Sequence, residues 1–402
     1  MKNDFVYIDL FTGCGGLSLG LYNSGWKGLF AIEKSKDAFM TLKHNLIDKK
    51  GHYTWPSWLP LENHDINLVI KDYRSELEKL RGTVTMVAGG PPCQGFSSAG
   101  RRNEDDERNK LVDSYIEFVD IVRPEILFLE NVRGFTIGFS KKKKKGKAYS
   151  QYVKEKLEAL GYNVRGEILD FSNFGVPQRR NRFILVGSLK RNTSAFFENI
   201  NNNKKDFLKS KGLRIHNCLK DAISDLLQSN GTVDSPDSRG FKAGLYSQAR
   251  SSYQKYLREG IKLTGKVADS HRFANHGTNT IQQFNTIIRD AENNKRISGD
   301  LRNKYGLKKR GVFLLGEKSV CPTLTTHPDD YIHYCEPRIL TVREYARIQA
   351  FPDWYEFKGK YTTGGELRVK EVPRYTQLGN AIPPLFGEQA GVALKELVQD
   401  GK

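Results

Sequence analysis

The stretch FVYIDLFTGCGGL, residues 5–17, decides the fold class. It reads as a short apolar strand that runs into a glycine-rich turn and then into a helix from Leu17 to Ser24. Such a turn lets a nucleotide-like ligand approach the backbone closely at a helix N-terminus. The next strand, from Gly28, ends at Glu33, 20 residues after Gly13, where a carboxylate can accept hydrogen bonds from ribose hydroxyls. A dinucleotide fingerprint would need a third glycine where Ser18 stands, so a nicotinamide cofactor is disfavoured, and the Walker pattern is absent.

Outward from this unit, residues 1–190 alternate strand and helix, which predicts an α/β fold, a mostly parallel sheet with helices on both faces. Strands are expected at Val84–Gly90, Pro124–Asn131, Val164–Phe171 and Arg182–Leu189, with helices over Asn109–Val122 and Ala148–Leu160. The texture changes after Lys190. Residues 190–336 carry 25 basic and 15 acidic side chains, +10 of the chain's +18, on sequence rich in Asn, Ser, Lys and Gly with weak apolar patterning. From about Pro373 the turn GNAIPP (379–384) leads into a helix through Leu397. The run Lys141–Lys145 reads as a mobile, solvated loop, with phosphate contact as the lesser reading.

Three segments carry chemistry. GGPPCQGFSS (89–98) puts Cys93 at the C-terminal end of a strand, behind two prolines, on the edge of an open α/β sheet where ligands gather. ENVRG (130–134) puts Glu130 where a buried strand ends, so its carboxylate must be hydrogen-bonded or shifted in pKa. QRRNR (178–182) sets three arginines just before another strand. Five scattered cysteines with no C-x-x-C pair argue against a disulfide framework or a zinc site, and a reducing interior is the natural reading. The excess of 64 basic over 46 acidic residues points to a polyanionic partner, although a solvated surface would explain it equally well. No apolar run approaches the ~20 residues of a membrane helix, and the N-terminus has no signal-peptide pattern.

In this order, DLFTGCGG, PPCQ, ENV, QRRNR, RILTVREYARIQAFPD (338–353) and GNAIPP resemble the ordered motifs of the C5-cytosine DNA methyltransferases, over residues 5–190 and 338–395. The resemblance implies a Rossmann-like S-adenosylmethionine-dependent methyltransferase sheet with a second, smaller target-recognition domain. It divides the chain into a catalytic and cofactor-binding domain (1–190), a target-recognition domain (191–337), a connecting motif region (338–372) and a C-terminal return to the catalytic domain (373–402).

Carried over by position, it makes Cys93 the nucleophile, Glu130 the acid that engages cytosine, Arg180 a holder of the base or its phosphate, and Arg182 a support for that region. Phe11, Gly13, Gly15, Gly16, Glu33 and Asp65 resemble the cofactor pocket, closed by Pro92, Leu111, Asn380 and Ala381. The Gln94–Arg108 segment resembles the mobile catalytic loop, with Gln94, Ser97 and Arg108 as DNA contacts. Cys14 takes a variable position and is read as inert, and Ala381 replaces the serine of many members.

The resemblance thus implies methyl transfer from S-adenosylmethionine, leaving S-adenosylhomocysteine, to C5 of a flipped-out cytosine in double-stranded DNA, with no metal. It further implies a cytoplasmic monomer of bacterial or phage origin, paired with a restriction endonuclease. Two rivals share the scaffold. An RNA cytosine methyltransferase would share nearly every motif, but the C-F-T tripeptide of the tRNA-acting members is absent. A non-catalytic DNA-binding homologue would usually lack Cys93 or Glu130, and both are present.

Overall fold

In the computed structural model, the described residues are 5–92, 110–138, 140–141, 144–145, 148–259, 261–309, 311–363, 367 and 371–399. Contacts divide the chain into two compact units, one made of 1–170, 181–204 and 386–402, the other of 171–180 and 205–385.

The first unit is built on a six-stranded sheet. Its strands are β1 (Val6–Leu10), β2 (Lys27–Ile32), β3 (Met86–Gly89), β4 (Ile126–Val132), β5 (Asn163–Asp170) and β6 (Asn181–Ser188), in the order β2-β1-β3-β4-β6-β5. β2, β1, β3 and β4 are parallel, whereas β6 runs antiparallel to β4 and β5 antiparallel to β6. Both faces are buried, as a parallel core requires. Ile8, Leu10, Val87, Leu127, Leu129 and Leu185 enter one core with the helices α3 (Ile66–Asp72), α4 (Arg74–Lys79), α5 (Leu111–Val122) and α6 (Tyr149–Ala159). The alternate residue Phe128 meets Phe196 of α7 (Ser194–Ser210) at 6.3 Å between ring centroids, as the period of two demands.

On that second side, α1 (Gly16–Asn23) packs against the C-terminal helix, Pro384–Gln399. A Cβ added at Gly20 would lie 2.5 Å from the Glu388 amide nitrogen, so only glycine allows the two backbones to approach this closely. The Trp26 indole donates to the Gly391 carbonyl at 2.9 Å and ties the same helix to the chain just before β2.

Contact boundaries differ from those expected after 190, 337 and 372. β6 leads directly into α7, whose buried Phe196, Phe197 and Ile200 keep the chain with the first unit through Lys204. The segment 338–353 and the turn at 379–384 belong to the second unit. The expected Gly379 turn begins as the last part of a helix, Arg374–Asn380. The lysine run falls partly outside the described residues, and its Ser140–Lys141 and Lys144–Lys145 pair as antiparallel two-residue strands.

The second unit carries two three-stranded sheets, one of Thr232–Asp234, Lys242–Leu245 and Val267–Arg272, the other of Lys295–Ile297, Val312–Leu314 and Tyr331–Ile332. Phe284, Ile287, Ile297, Tyr305, Val312, Leu314 and Ile332 form an apolar core against the latter. A buried ion network surrounds the helix Val342–Ile348. Arg347 meets Asp353 at 2.6 Å and Asp225 at 3.1 Å, and Arg338 grips Glu344 with two hydrogen bonds of 2.8 and 2.7 Å. Weak apolar patterning therefore reflects a unit held partly by paired charges, each needing its partner because isolated buried ions are very costly.

Burial would raise the Glu344 carboxyl, but Arg338 outweighs it and draws the pKa down to about 2. Its folded value lies below its unfolded one, so the contribution is present above about pH 4.5 and is lost as pH falls toward 2. Thermal melts between pH 6 and 2.5 should show a steep acid loss that Glu344→Gln flattens after starting from a lower melting temperature. Parallel curves for the two proteins would contradict the pairing.

Candidate active site

Parallel register brings the ends of four strands together. Leu10 pairs with both Ile32 and Gly89, and Gly89 pairs with Leu129. Phe11, Glu33, Gly90 and Glu130 are therefore the next residues at one edge of the sheet.

The glycine turn occupies half of this edge. Phe11 has φ 59°, Gly13 57° and Gly15 85°, and Gly15 caps α1 in the left-handed region, which explains the run of glycines. Phe11 itself is strained, since a bulky side chain rarely adopts positive φ. A Cβ built on Gly13 would meet nothing within 4 Å, so space opens beside the turn. Glu33 fixes that turn by accepting from the Gly13 amide at 2.9 Å and from the Ser35 amide at 2.7 Å. Burial nevertheless raises its pKa. Asp65 caps α3 by accepting from the Asn67 amide at 2.8 Å and pairs with Lys34 at 2.9 Å. Burial opposes ionisation of Asp65, yet these partners hold its pKa below the usual value. Gly16 opens α1 and Leu111 opens α5, packed against the core.

The other half of the edge belongs to Glu130. Its Oε1 meets Arg182 Nε at 2.8 Å, a pair created by the antiparallel register that sets Val132 opposite Arg182. Both side chains are nearly buried, at 11% and 12% exposure, so the pair is only weakly screened by solvent. Burial lowers the Arg182 pKa, against the pull of Glu130. A Cβ added at Gly90 would lie 3.3 Å from Glu130 Oε2, close enough to press on the carboxylate. Next to Glu130, Asn131 donates from Nδ2 to the Pro91 carbonyl at 3.1 Å, which ties the Pro91–Pro92 turn to the end of β4.

Cys93, Gln94, Ser97 and Arg108 lie outside the described residues. Arg180, Asn380 and Ala381 belong to the second unit, where the buried Arg180 donates from Nη2 to the Gly379 carbonyl at 2.9 Å. Cys14 is buried and its thiol is pushed up to about 12, an environment of low reactivity. Among the described residues no group of three His, Cys, Asp or Glu side chains could hold a metal ion. Nor is any of their helices long and apolar enough to cross a membrane.

The family model for the C-5 cytosine-specific DNA methylase matches residues 5–396. The chain belongs to this family. As a C5-cytosine DNA methylase it is an enzyme that methylates carbon 5 of cytosine in DNA, and its sheet is the Rossmann-like sheet of S-adenosylmethionine-dependent methyltransferases. It is 30% identical to the type II methyltransferase M.PspPI of a Psychrobacter species, over 98% of this chain and 79% of that one. It is 29% identical to M.DdeI of Desulfomicrobium norvegicum, over 95% of this chain and 86% of that one. Among solved structures, a DNA modification methyltransferase encoded within an E. coli prophage superposes with a TM-score of 0.65 at 22% identity, covering 98% of this chain and 99% of that one. That likeness bears on the fold.

Sequence reasoning placed Glu33 and Glu130 at strand ends but missed the side chains beneath the glycine turn. Thr12 and Ser18 both donate to Asp9 Oδ2, and Ser18 is the residue that breaks the dinucleotide fingerprint. A buried Asp at the end of a strand was the available signal.

Replacing Arg182 with Ala should destabilise the methylase by about 3 kcal/mol, because the buried Glu130 carboxylate loses this guanidinium. Urea unfolding of Arg182→Ala beside Arg182→Met with Glu130→Leu checks it. The double variant should recover much of the loss, whereas equal losses in the two proteins would contradict a charge pair.

Proposed function

We propose that this methylase takes its methyl group from S-adenosylmethionine bound in the Phe11–Gly16 turn and transfers it to a flipped-out cytosine held by Glu130, with Cys93 as the nucleophile. The observation that carries this reading is the shared strand edge, which puts the glycine turn, Glu33 and the Arg182-bound Glu130 side by side. The open space beside Gly13 and the carboxylates of Glu33 and Asp65 fit a nucleoside with two ribose hydroxyls and an exocyclic amine. Phe11, Gly13, Gly15, Gly16, Glu33, Asp65, Pro92 and Leu111 would hold this cofactor, which supplies an electrophilic methyl group on sulfonium; for Asn380 and Ala381 a cofactor role rests on the sequence motif alone.

Cytosine C5 is a weak nucleophile. The Cys93 thiolate adds to C6, and the resulting enamine carries enough density at C5 to accept the methyl group. Glu130, as the acid, donates its proton to N3 and accepts from the amino group, which offsets the negative charge that thiolate addition places on the ring, while Arg182 keeps the carboxyl group aimed. Loss of the C5 proton and elimination of Cys93 restore the aromatic ring. A stacked duplex cannot offer C6 to a thiolate, so the base leaves the helix at a cost of a few kcal/mol.

We further propose that residues 191–337 read double-stranded DNA, since they supply +9 of the net charge and are rich in Arg, Asn, Gln and Ser. Arg180 holds the base or its phosphate together with the Gly379 turn it binds, and Gln94, Ser97 and Arg108 contact DNA. Similarity to type II methyltransferases supports our reading of an enzyme paired with a restriction endonuclease in a bacterial or phage setting; that it works as a cytoplasmic monomer without a metal is part of the same proposal.

Duplex DNA containing 5-fluorocytosine should trap the wild-type protein covalently, because fluorine at C5 cannot leave as the proton does. Cys93→Ala should form no adduct and transfer no methyl group while still binding S-adenosylhomocysteine. An adduct in the variant, or none in the wild type, overturns the assignment.

A further inference from the structure

Beneath the glycine turn runs a line of buried polar groups that the chemistry above does not use. His52 Nε2 lies 2.7 Å from the Tyr7 hydroxyl, which donates to Tyr53 at 3.3 Å. The Tyr53 hydroxyl lies 2.7 Å from Ser18 Oγ, and Ser18 donates to Asp9. Thr12 donates to the same Asp9 oxygen at 2.8 Å. All six side chains are at most 9% exposed. With the proton of a neutral His52 on Nε2, each group donates once to the next and the line ends on Asp9. Burial lowers the His52 pKa to about 4, in keeping with the neutral ring.

The line is anchored at both ends of the turn. Asp9 is the penultimate residue of β1, Thr12 lies in the turn and Ser18 lies in the first turn of α1, so one carboxylate oxygen clamps the segment that carries the positive φ values of Phe11, Gly13 and Gly15. Tyr53 arrives from outside every recognisable motif. It bridges to Gly28 at the start of β2, where an added Cβ would strike its ring at 2.4 Å, so Gly28 is the glycine that admits it.

We infer that Tyr53, acting through Ser18 and Asp9, is a positioning residue for the S-adenosylmethionine cradle, which it holds in its strained conformation before the cofactor arrives. A turn not held in advance must be ordered by its ligand, and the affinity falls by that cost. The inference rests on the reading of the Phe11–Gly16 turn as the cofactor site.

The experiment is calorimetric titration of the full chain with S-adenosylhomocysteine, beside steady-state kinetics on duplex DNA, for Tyr53→Phe, Ser18→Ala, Asp9→Ala, Asp9→Asn and Glu33→Ala. Tyr53→Phe keeps the ring and removes one oxygen, so the fold should survive even where Ser18→Ala or Asp9→Ala does not. Tyr53→Phe should weaken binding roughly fivefold, the worth of one buried hydrogen bond, and raise KM for the cofactor by a like factor with kcat within about twofold. Asp9→Asn, whose amide oxygen can still accept from Thr12 and Ser18, should retain most of the affinity that Asp9→Ala loses. Weakened Glu33→Ala with unchanged Tyr53→Phe would overturn the positioning role and leave the cradle standing. Unchanged affinity in both would show that the cofactor lies elsewhere, and the inference falls with that reading. A lower melting temperature in Tyr53→Phe with unchanged affinity would mark a merely structural hydroxyl and also overturn it.

Discussion

Side-by-side termination of parallel strands is the constraint on which this site depends. Because Leu10 is in register with Ile32 and Gly89, and Gly89 with Leu129, β1, β2 and β3 end side by side at the level of Glu130, where β4 runs on for three residues paired with β6. The three exits offer backbone and side chains that the sheet no longer uses, and Glu130 stands beside them within β4. Two of the four residues reached there, Glu33 and Glu130, are carboxylates, and both are largely withdrawn from water. Such groups are tolerated only where donors meet them. For Glu33 the donors are the amides of Gly13 and Ser35, and for Glu130 a donor is the Arg182 guanidinium.

Those two solutions divide the edge by chemistry. Backbone amides leave Glu33 part of its accepting capacity and tie it to the glycine turn, which suits the hydroxyl-bearing ribose of a nucleoside. A guanidinium holds Glu130 by charge and fixes its direction, which suits a group whose hydrogen bonds must strengthen as charge develops on a base. The antiparallel return of β6 makes the second arrangement possible. A sheet parallel throughout would bring the start of the next strand to the opposite edge, and Arg182 could not reach Glu130.

Much of this was legible in the sequence. DLFTGCGG and its following Glu33 fixed a strand, a turn and a carboxylate, because glycine at positive φ and a polar residue after an apolar run have few alternative meanings. All six strands of the large sheet were expected within a few residues of where they lie. The antiparallel direction of β5 and β6 was not legible, since period-two patterning carries no direction. Nor was the line from His52 to Asp9, whose members lie up to 46 positions apart and meet where Tyr53 packs on Gly28. The second unit looked poorly patterned because part of its interior is Arg, Asp and Glu, which an apolar count reads as surface. The contact unit runs on to Lys204 because α7, in Asn-rich sequence, buries Phe196 and Phe197.

The central claim is that this sheet edge brings a methyl donor to carbon 5 of a cytosine in duplex DNA. The most direct test is to incubate the purified protein with S-adenosylmethionine carrying a deuterated methyl group and duplex DNA of mixed sequence, then digest to nucleosides and analyse them by mass spectrometry. The account predicts deuterated 5-methyldeoxycytidine as the labelled nucleoside, and none when the duplex is replaced by RNA. Label in N4-methyldeoxycytidine or N6-methyldeoxyadenosine, or transfer to RNA alone, would contradict it.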